Sequence, residues 1–183
     1  ERILRIVFEY ADHRAPQEFT MKKDHEEARH IAEESMVLLK NADDILPLKA
    51  SEKVAFIGGF AKNPRFQGGG SSHINCFKVT NAFDSVPSDA QVIYAEGFPA
   101  DRDLYDDAEA LKTAGNADKV VIFAGLPDSF ESEGYDRSHM RLPECQNRLI
   151  AEILKVQPNA VIVLHNGSPV EMPWLSDVKG LLE

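Results

Sequence analysis

Apolar residues recur in two rhythms along this 183-residue chain, one helical and one of short continuous runs. The opening stretch carries Ile3, Leu4, Ile6, Val7 and Phe8 and reads as the end of a helix; the charged dozen that follows, around Pro16, has no period and reads as a linker. From Asp24 the pattern changes. Asp24 and Glu27 have the spacing of a capping box, and Ala28, Ile31, Ala32, Ser35, Met36 and Leu39 recur at helical intervals, which predicts a helix from Asp24 to Lys40. Asn41, Asp43, Asp44 and Pro47 then break it.

Beyond that point come short β-branched runs: Lys53 to Gly58, Gln91 to Ala95, Lys119 to Ala124 and Ala160 to His165. Such runs predict strands buried on both faces. Between them lie helix-like stretches, Leu104 to Ala114 and Glu144 to Val156, the second opened by Pro143 and carrying Leu149, Ile150, Ile153 and Leu154 on one side. Alternation of this kind predicts an α/β fold, a three-layer sandwich whose mostly parallel sheet is covered by helices on both faces. Sheets of this type bind ligands at the carboxyl ends of their strands, so the loops after Gly58, Ala124 and His165 are the places to search. The chain stops at Gly180-Leu-Leu-Glu183, where a further strand is expected to be under way, so the domain is expected to be incomplete at that end.

Length and charge narrow the picture. The chain suffices for one domain with a sizeable core. Twenty Lys and Arg stand against thirty Asp and Glu, for a formal charge of −10, and no basic cluster is present, which disfavours a nucleic-acid partner. No apolar run is long enough to predict a membrane span. The chain begins with Glu1 rather than Met and is expected to be a piece of something longer, with any signal peptide outside it; a cytoplasmic and a secreted location both stay open. Cys76 and Cys145 lack metal-ligand spacing and are expected to be free thiols. No metal or cofactor is expected.

Two loops carry candidate chemistry. Gln67-Gly-Gly-Gly-Ser-Ser-His73 follows the first strand; consecutive glycines suit a main chain that comes close to something, but neither a P-loop nor a dinucleotide fingerprint is present. A plain turn and a sugar or polyol contact both remain open for it. The loop after Ala124 gathers Asp128, Glu131, Glu133 and Asp136 with Tyr135 and Arg137. Such a concentration of titratable groups is site-like, and glycosidases need a protonated carboxylic acid at the scissile bond. A solvated acidic loop with Asp136 and Arg137 paired at the surface is the competing reading.

Five motifs occur in order: Ala28-Arg29 through Glu33-Glu-Ser-Met-Val-Leu-Leu-Lys-Asn41, Leu46-Pro-Leu48, Gly68-Gly-Gly-Ser-Ser72, Glu133-Gly-Tyr-Asp-Arg137 with Leu142-Pro143, and Asn166-Gly-Ser-Pro-Val-Glu-Met-Pro-Trp174. Together they resemble the second domain of family 3 glycoside hydrolases of the β-glucosidase type, over about residues 24 to 175. The resemblance implies a preceding (β/α)₈ barrel that donates an aspartate nucleophile, and a loop of this domain that supplies the acid/base. It implies residues 1–23 as the barrel's end and a linker, and 24–183 as the α/β domain. Glu133 is then the acid/base, with Glu131 its rival. Gly69, Gly70, Ser71 and Ser72 border the sugar or prop the acid loop, and Asp136 and Arg137 brace that loop. Trp174 is expected to pack in the core or an interface, and His73 and His165 to be structural. The partners implied are a small carbohydrate and the barrel. The chain alone, lacking the nucleophile, is expected to be inactive. A noncatalytic module that closes a barrel's active site is the alternative; a nucleotide-binding flavodoxin-like domain is a weaker one.

Overall fold

The computed structural model describes residues 1–15, 19–104, 106–134 and 136–183. The described chain divides into two units, Glu1–Ser35 and Met36–Glu183. The first holds helices α1 (Arg2–Asp12) and α2 (Met21–Ser35), neither of which buries a residue. Thr20 opens α2: its carbonyl accepts from the Asp24 N–H at 3.0 Å and its hydroxyl from the Lys23 N–H at 3.4 Å. The helix expected to begin at Asp24 thus begins three residues earlier, at Met21.

The helix expected to run on to Lys40 ends at Ser35, and Leu38–Asn41 forms strand β1 instead. Met36-Val-Leu-Leu39 is four apolar residues in a row, which on a helix would face in every direction. As extended chain it finds a partner, since Val37 exchanges both backbone hydrogen bonds with Glu183, at 2.7 and 3.0 Å.

The second unit is built on β1 and five further strands: β2 (Lys53–Ile57), β3 (Gln91–Ala95), β4 (Lys119–Gly125), β5 (Ala160–His165) and β6 (Gly180–Leu182). Their order is β1-β6-β5-β4-β2-β3; every pair is parallel except β1 with β6. The β2–β4 register sets Ala55 beside Val120 and Ile57 beside Ile122. Side chains alternate between faces with the strand period of two. One face carries Ala55, Ile57, Val120, Ile122, Ala160 and Ile162 and is covered by α3 (Asp107–Gly115) and α4 (Glu144–Val156), which contribute Ala110, Ala114, Leu149, Ile150 and Ile153. Fully burying a side chain such as Leu149 contributes about 1.5–3 kcal/mol. Trp174 lies in this same core, 3% exposed, its indole N–H donating to Asn147 Oδ1 at 3.0 Å.

The opposite face carries Val54, Phe56, Val121, Phe123 and Val161. Both faces are covered as expected, but here the cover is Ile45, Phe60, Ala61 and Phe83, in or next to short 3-10 turns, where the other face has α-helices. The β2-to-β3 connection thus passes over one face, while the connections through α3 and α4 pass over the other. Adjacent strands β2 and β4 send their chains in opposite directions, and a crevice opens between their carboxyl ends.

Candidate functional site

Three loops meet at that crevice, the ones after β2, β4 and β5. They enclose a cavity of about 490 Å³, lined by Arg65 to Gly69 from the first, Glu131 to Glu133 from the second and His165 to Gly167 from the third. Three buried polar atoms have no hydrogen-bond partner among the described residues: Arg137 Nη1, His165 Nε2 and Asn166 Oδ1. All belong to the end of β5 and these loops. Unpaired buried polar atoms are rare in native folds, so their concentration marks an end of the sheet not optimised for stability alone.

The two glutamates that the sequence left as rivals occupy different environments. Glu131 is half-buried and fully engaged. Its carboxylate takes an ion pair from Arg65, a hydrogen bond from the Ser168 hydroxyl and one from the Gly167 N–H at 3.0 Å. Burial alone pushes its pKa up, but Ser168, Arg65 and Gly167 together more than offset that and hold it below the ordinary carboxylate range. Both oxygens of this carboxylate are therefore occupied by partners within the chain.

Glu133 is exposed. Its Oε2 accepts from the hydroxyl and the N–H of Ser71, at 2.6 and 2.7 Å, and these two contacts hold its carboxyl below the ordinary range. The glycine-rich loop reaches it because it lacks side chains at the point of contact. A Cβ on Gly70, whose φ is +83°, would stand 2.5 Å from Glu133 Cβ; one on Gly69 would stand 2.6 Å from Ser132 Oγ. Gly69 and Gly70 therefore lie directly against the loop of Glu133. Ser71 is the middle residue of a 3-10 turn from Gly70 to Ser72, and the Ser72 hydroxyl turns back to the Gly69 carbonyl at 3.4 Å.

Arg137 donates to Ser168 Oγ at 2.7 Å and to the Pro169 carbonyl at 3.0 Å, tying the far side of the loop to the one after β5. Asp136 is exposed, and no ion pair joins it to Arg137 among the described residues. Tyr135 lies outside the described residues. His165 stacks on Phe60 with ring centroids 5.3 Å apart, and burial pushes its pKa down, partly opposed by its contact with the Arg65 carbonyl. His73 is exposed beside Gln67. No group of side chains among the described residues could hold a metal ion, and none of their helices is long and apolar enough to cross a membrane.

Arg65 went unnoticed in the sequence. A lone arginine eight residues beyond a strand carries no local signal, yet its guanidinium reaches the Leu126 carbonyl at 2.9 Å and the Glu131 carbonyl at 2.8 Å as well as the Glu131 carboxylate. Ser168 sat inside a quoted motif with no role attached to it.

Comparison with known proteins gives the same reading of the family. The chain is 47% identical over 191 residues to the thermostable beta-glucosidase B of Acetivibrio thermocellus, all of this chain and 25% of that protein. It is 43% identical over 174 residues to an exo-alpha-(1->6)-L-arabinopyranosidase of Bifidobacterium longum, covering 87% of this chain and 23% of that one. The crystal structure of a Bifidobacterium adolescentis GH3 beta-glucosidase superposes with a TM-score of 0.85 at 44% identity, over 93% of this chain and 26% of its own. The chain thus spans about a quarter of the length of the relatives it matches. Residues 36–183, the whole second unit, match the glycosyl hydrolase family 3 C-terminal domain, and the chain belongs to that family.

Proposed function

We propose that this chain is the second domain of a retaining β-glycosidase acting on terminal β-linked sugars, and that it contributes Glu133 as the acid/base. The nucleophile, an aspartate, comes from a preceding barrel. The observation that carries the reading is the division of labour between the two glutamates: Glu131 is spent in an ion pair, whereas Glu133 stands exposed at the rim of the strand-end cavity. The apolar side chains of α1, Ile3, Leu4, Ile6, Val7 and Phe8, are each more than half exposed, as in a helix that packs on something outside this chain.

In the first step the aspartate attacks the anomeric carbon while Glu133, protonated, gives its proton to the departing oxygen. In the second, Glu133 as carboxylate takes a proton from the water that frees the glycosyl-enzyme. The two carboxyl groups would then lie ~5–5.5 Å apart. A proton donor needs a raised pKa, and the Ser71 contacts act the other way. The barrel supplies the opposing effects, since covering Glu133 removes water from it and the aspartate adds a like charge; both favour the protonated form. Gly69, Gly70, Ser71 and Ser72 hold Glu133 and border the sugar. Arg137 braces the loop; Asp136, exposed, is assigned to the same segment.

The test is replacement in the full-length protein. Glu133→Gln lowers turnover by about 10²–10⁴-fold, the usual worth of a general acid/base, and azide restores turnover to Glu133→Ala by attacking the glycosyl-enzyme directly. Normal turnover by Glu133→Gln, or azide rescue of Glu131→Ala in its place, overturns the assignment. A noncatalytic module closing the barrel would give variants that azide does not rescue.

A further inference from the structure

We infer that Arg65, Glu131 and Ser168 are positioning residues that clip both flanks of Glu133 onto the loops after β2 and β5; this rests on the reading of Glu133 as the acid/base. The loop after β4 has no regular structure between Gly125 and Arg141 among the described residues, so something else must fix it. A catalytic group has to be held to within about 0.5 Å of its productive position.

Arg65 closes the near flank. Its Nη1 donates to the Leu126 carbonyl at 2.9 Å and its Nη2 to the Glu131 carbonyl at 2.8 Å, so one guanidinium gathers the first six residues of the loop around itself. The fork is only 11% exposed and also carries the ion pair with the Glu131 carboxylate. Lysine, whose three donors share one nitrogen, lacks the spread fork that reaches these separate acceptors together.

Ser168 joins the near flank to the far one. Its hydroxyl donates to Glu131 Oε1 and accepts from Arg137 Nη2 at 2.7 Å, using both capacities of a hydroxyl. Glu131 precedes Glu133 by two residues and Arg137 follows it by four, so one side chain on the loop after β5 brackets the acid. The Gly167 N–H, at 3.0 Å from Glu131 Oε2, adds a backbone contact from the same loop. Glu131 is thereby committed as the ionised centre of the clip, and the proton chemistry is left to its neighbour.

Mispositioning an acid has a signature that general destabilisation lacks. A good leaving group departs without protonation, whereas a poor one needs the acid in place. In the full-length protein, kcat/KM is measured for Ser168→Ala, Glu131→Gln, Arg65→Lys and Glu133→Ala with phenyl and 2,4-dinitrophenyl β-glucosides, on samples whose melting curves show a folded protein. Ser168→Ala and Glu131→Gln are expected to lose about 10–100-fold with the phenyl glucoside and far less with the dinitrophenyl one; Arg65→Lys behaves like Glu131→Gln. Equal losses with the two substrates, or no loss in Ser168→Ala and Glu131→Gln, overturn the clip. If Glu133→Ala shows the leaving-group dependence and the clip variants do not, the clip alone falls. If Glu133→Ala shows none, the acid/base assignment falls and takes the clip with it. Should Arg65→Lys not fold, Ser168→Ala, which removes one hydroxyl from a half-buried loop, decides the matter.

Discussion

Replacing Gly70 with alanine puts the contact between the glycine-rich loop and Glu133 to a direct test. Gly70 has a φ of +83°, a region that costs a residue with a side chain about 1–3 kcal/mol. Its new Cβ would meet Glu133 Cβ and Oε2 at 2.5 Å each. Non-bonded carbons need ~3.5 Å or more, so the Glu133 side chain has to retreat by about 1 Å. That retreat takes its carboxylate off the Ser71 hydroxyl and N–H, now at 2.6 and 2.7 Å. The strain is small beside a typical stability of about 5–15 kcal/mol, so the variant folds. Its activity does not survive as well, since displacing a catalytic group by ~1 Å costs about 100-fold. The assay is kcat/KM of the full-length protein on a glucoside with a poor leaving group, alongside the melting temperature. Gly68→Ala is the control. Its φ lies outside the left-handed region, and its Cβ meets only the rotatable Ser72 hydroxyl, at 3.1 Å. Gly70→Ala within twofold of wild-type activity, or Gly68→Ala damaged as badly, refutes the reasoning.

The ion pair at Glu131 predicts a pH dependence. Its pKa is lower in the folded chain than the ~4.3 of an unperturbed glutamate, so its contribution to stability is complete above about pH 5 and is lost as pH falls through the folded value. Melting curves from pH 6 to pH 3 should show Glu131→Gln less stable at pH 6 but with a shallower decline, the residual slope coming in part from Glu133; parallel declines would contradict this. The two cysteines should also separate. Cys145 is 5% exposed, and burial, then Asp103, push its thiol far up, while Cys76 is only half-buried. At pH 8 a thiol-specific disulfide reagent should modify one cysteine per folded chain and the second only on unfolding, and equal rates for both in the native protein would count against it.

The strands were legible because a strand buried on both faces must be apolar at every position. Val54 to Ile57 and Val120 to Ala124 announce themselves without reference to anything else in the chain. Helix α4 was legible from its first residue to its last, since Pro143 sets its start and one stripe of Leu and Ile its face. Strand β1 was not. Met36 and Leu39 fit a helical stripe as well as an extended run, and the partner that decides between them, β6, lies at the other end of the sequence.

The sequence by itself determined an α/β fold, the three loops to search and, through five ordered motifs, the family. These are properties written locally, in burial periodicity and in short runs. Which of two glutamates two residues apart is taken up by Arg65 and Ser168 was decided only by the tertiary structure. Arg65 stands 66 positions before Glu131, and Ser168 stands 37 after it. Crossing connections on opposite faces of the sheet bring them together at one crevice, where they take up Glu131 and leave Glu133 open.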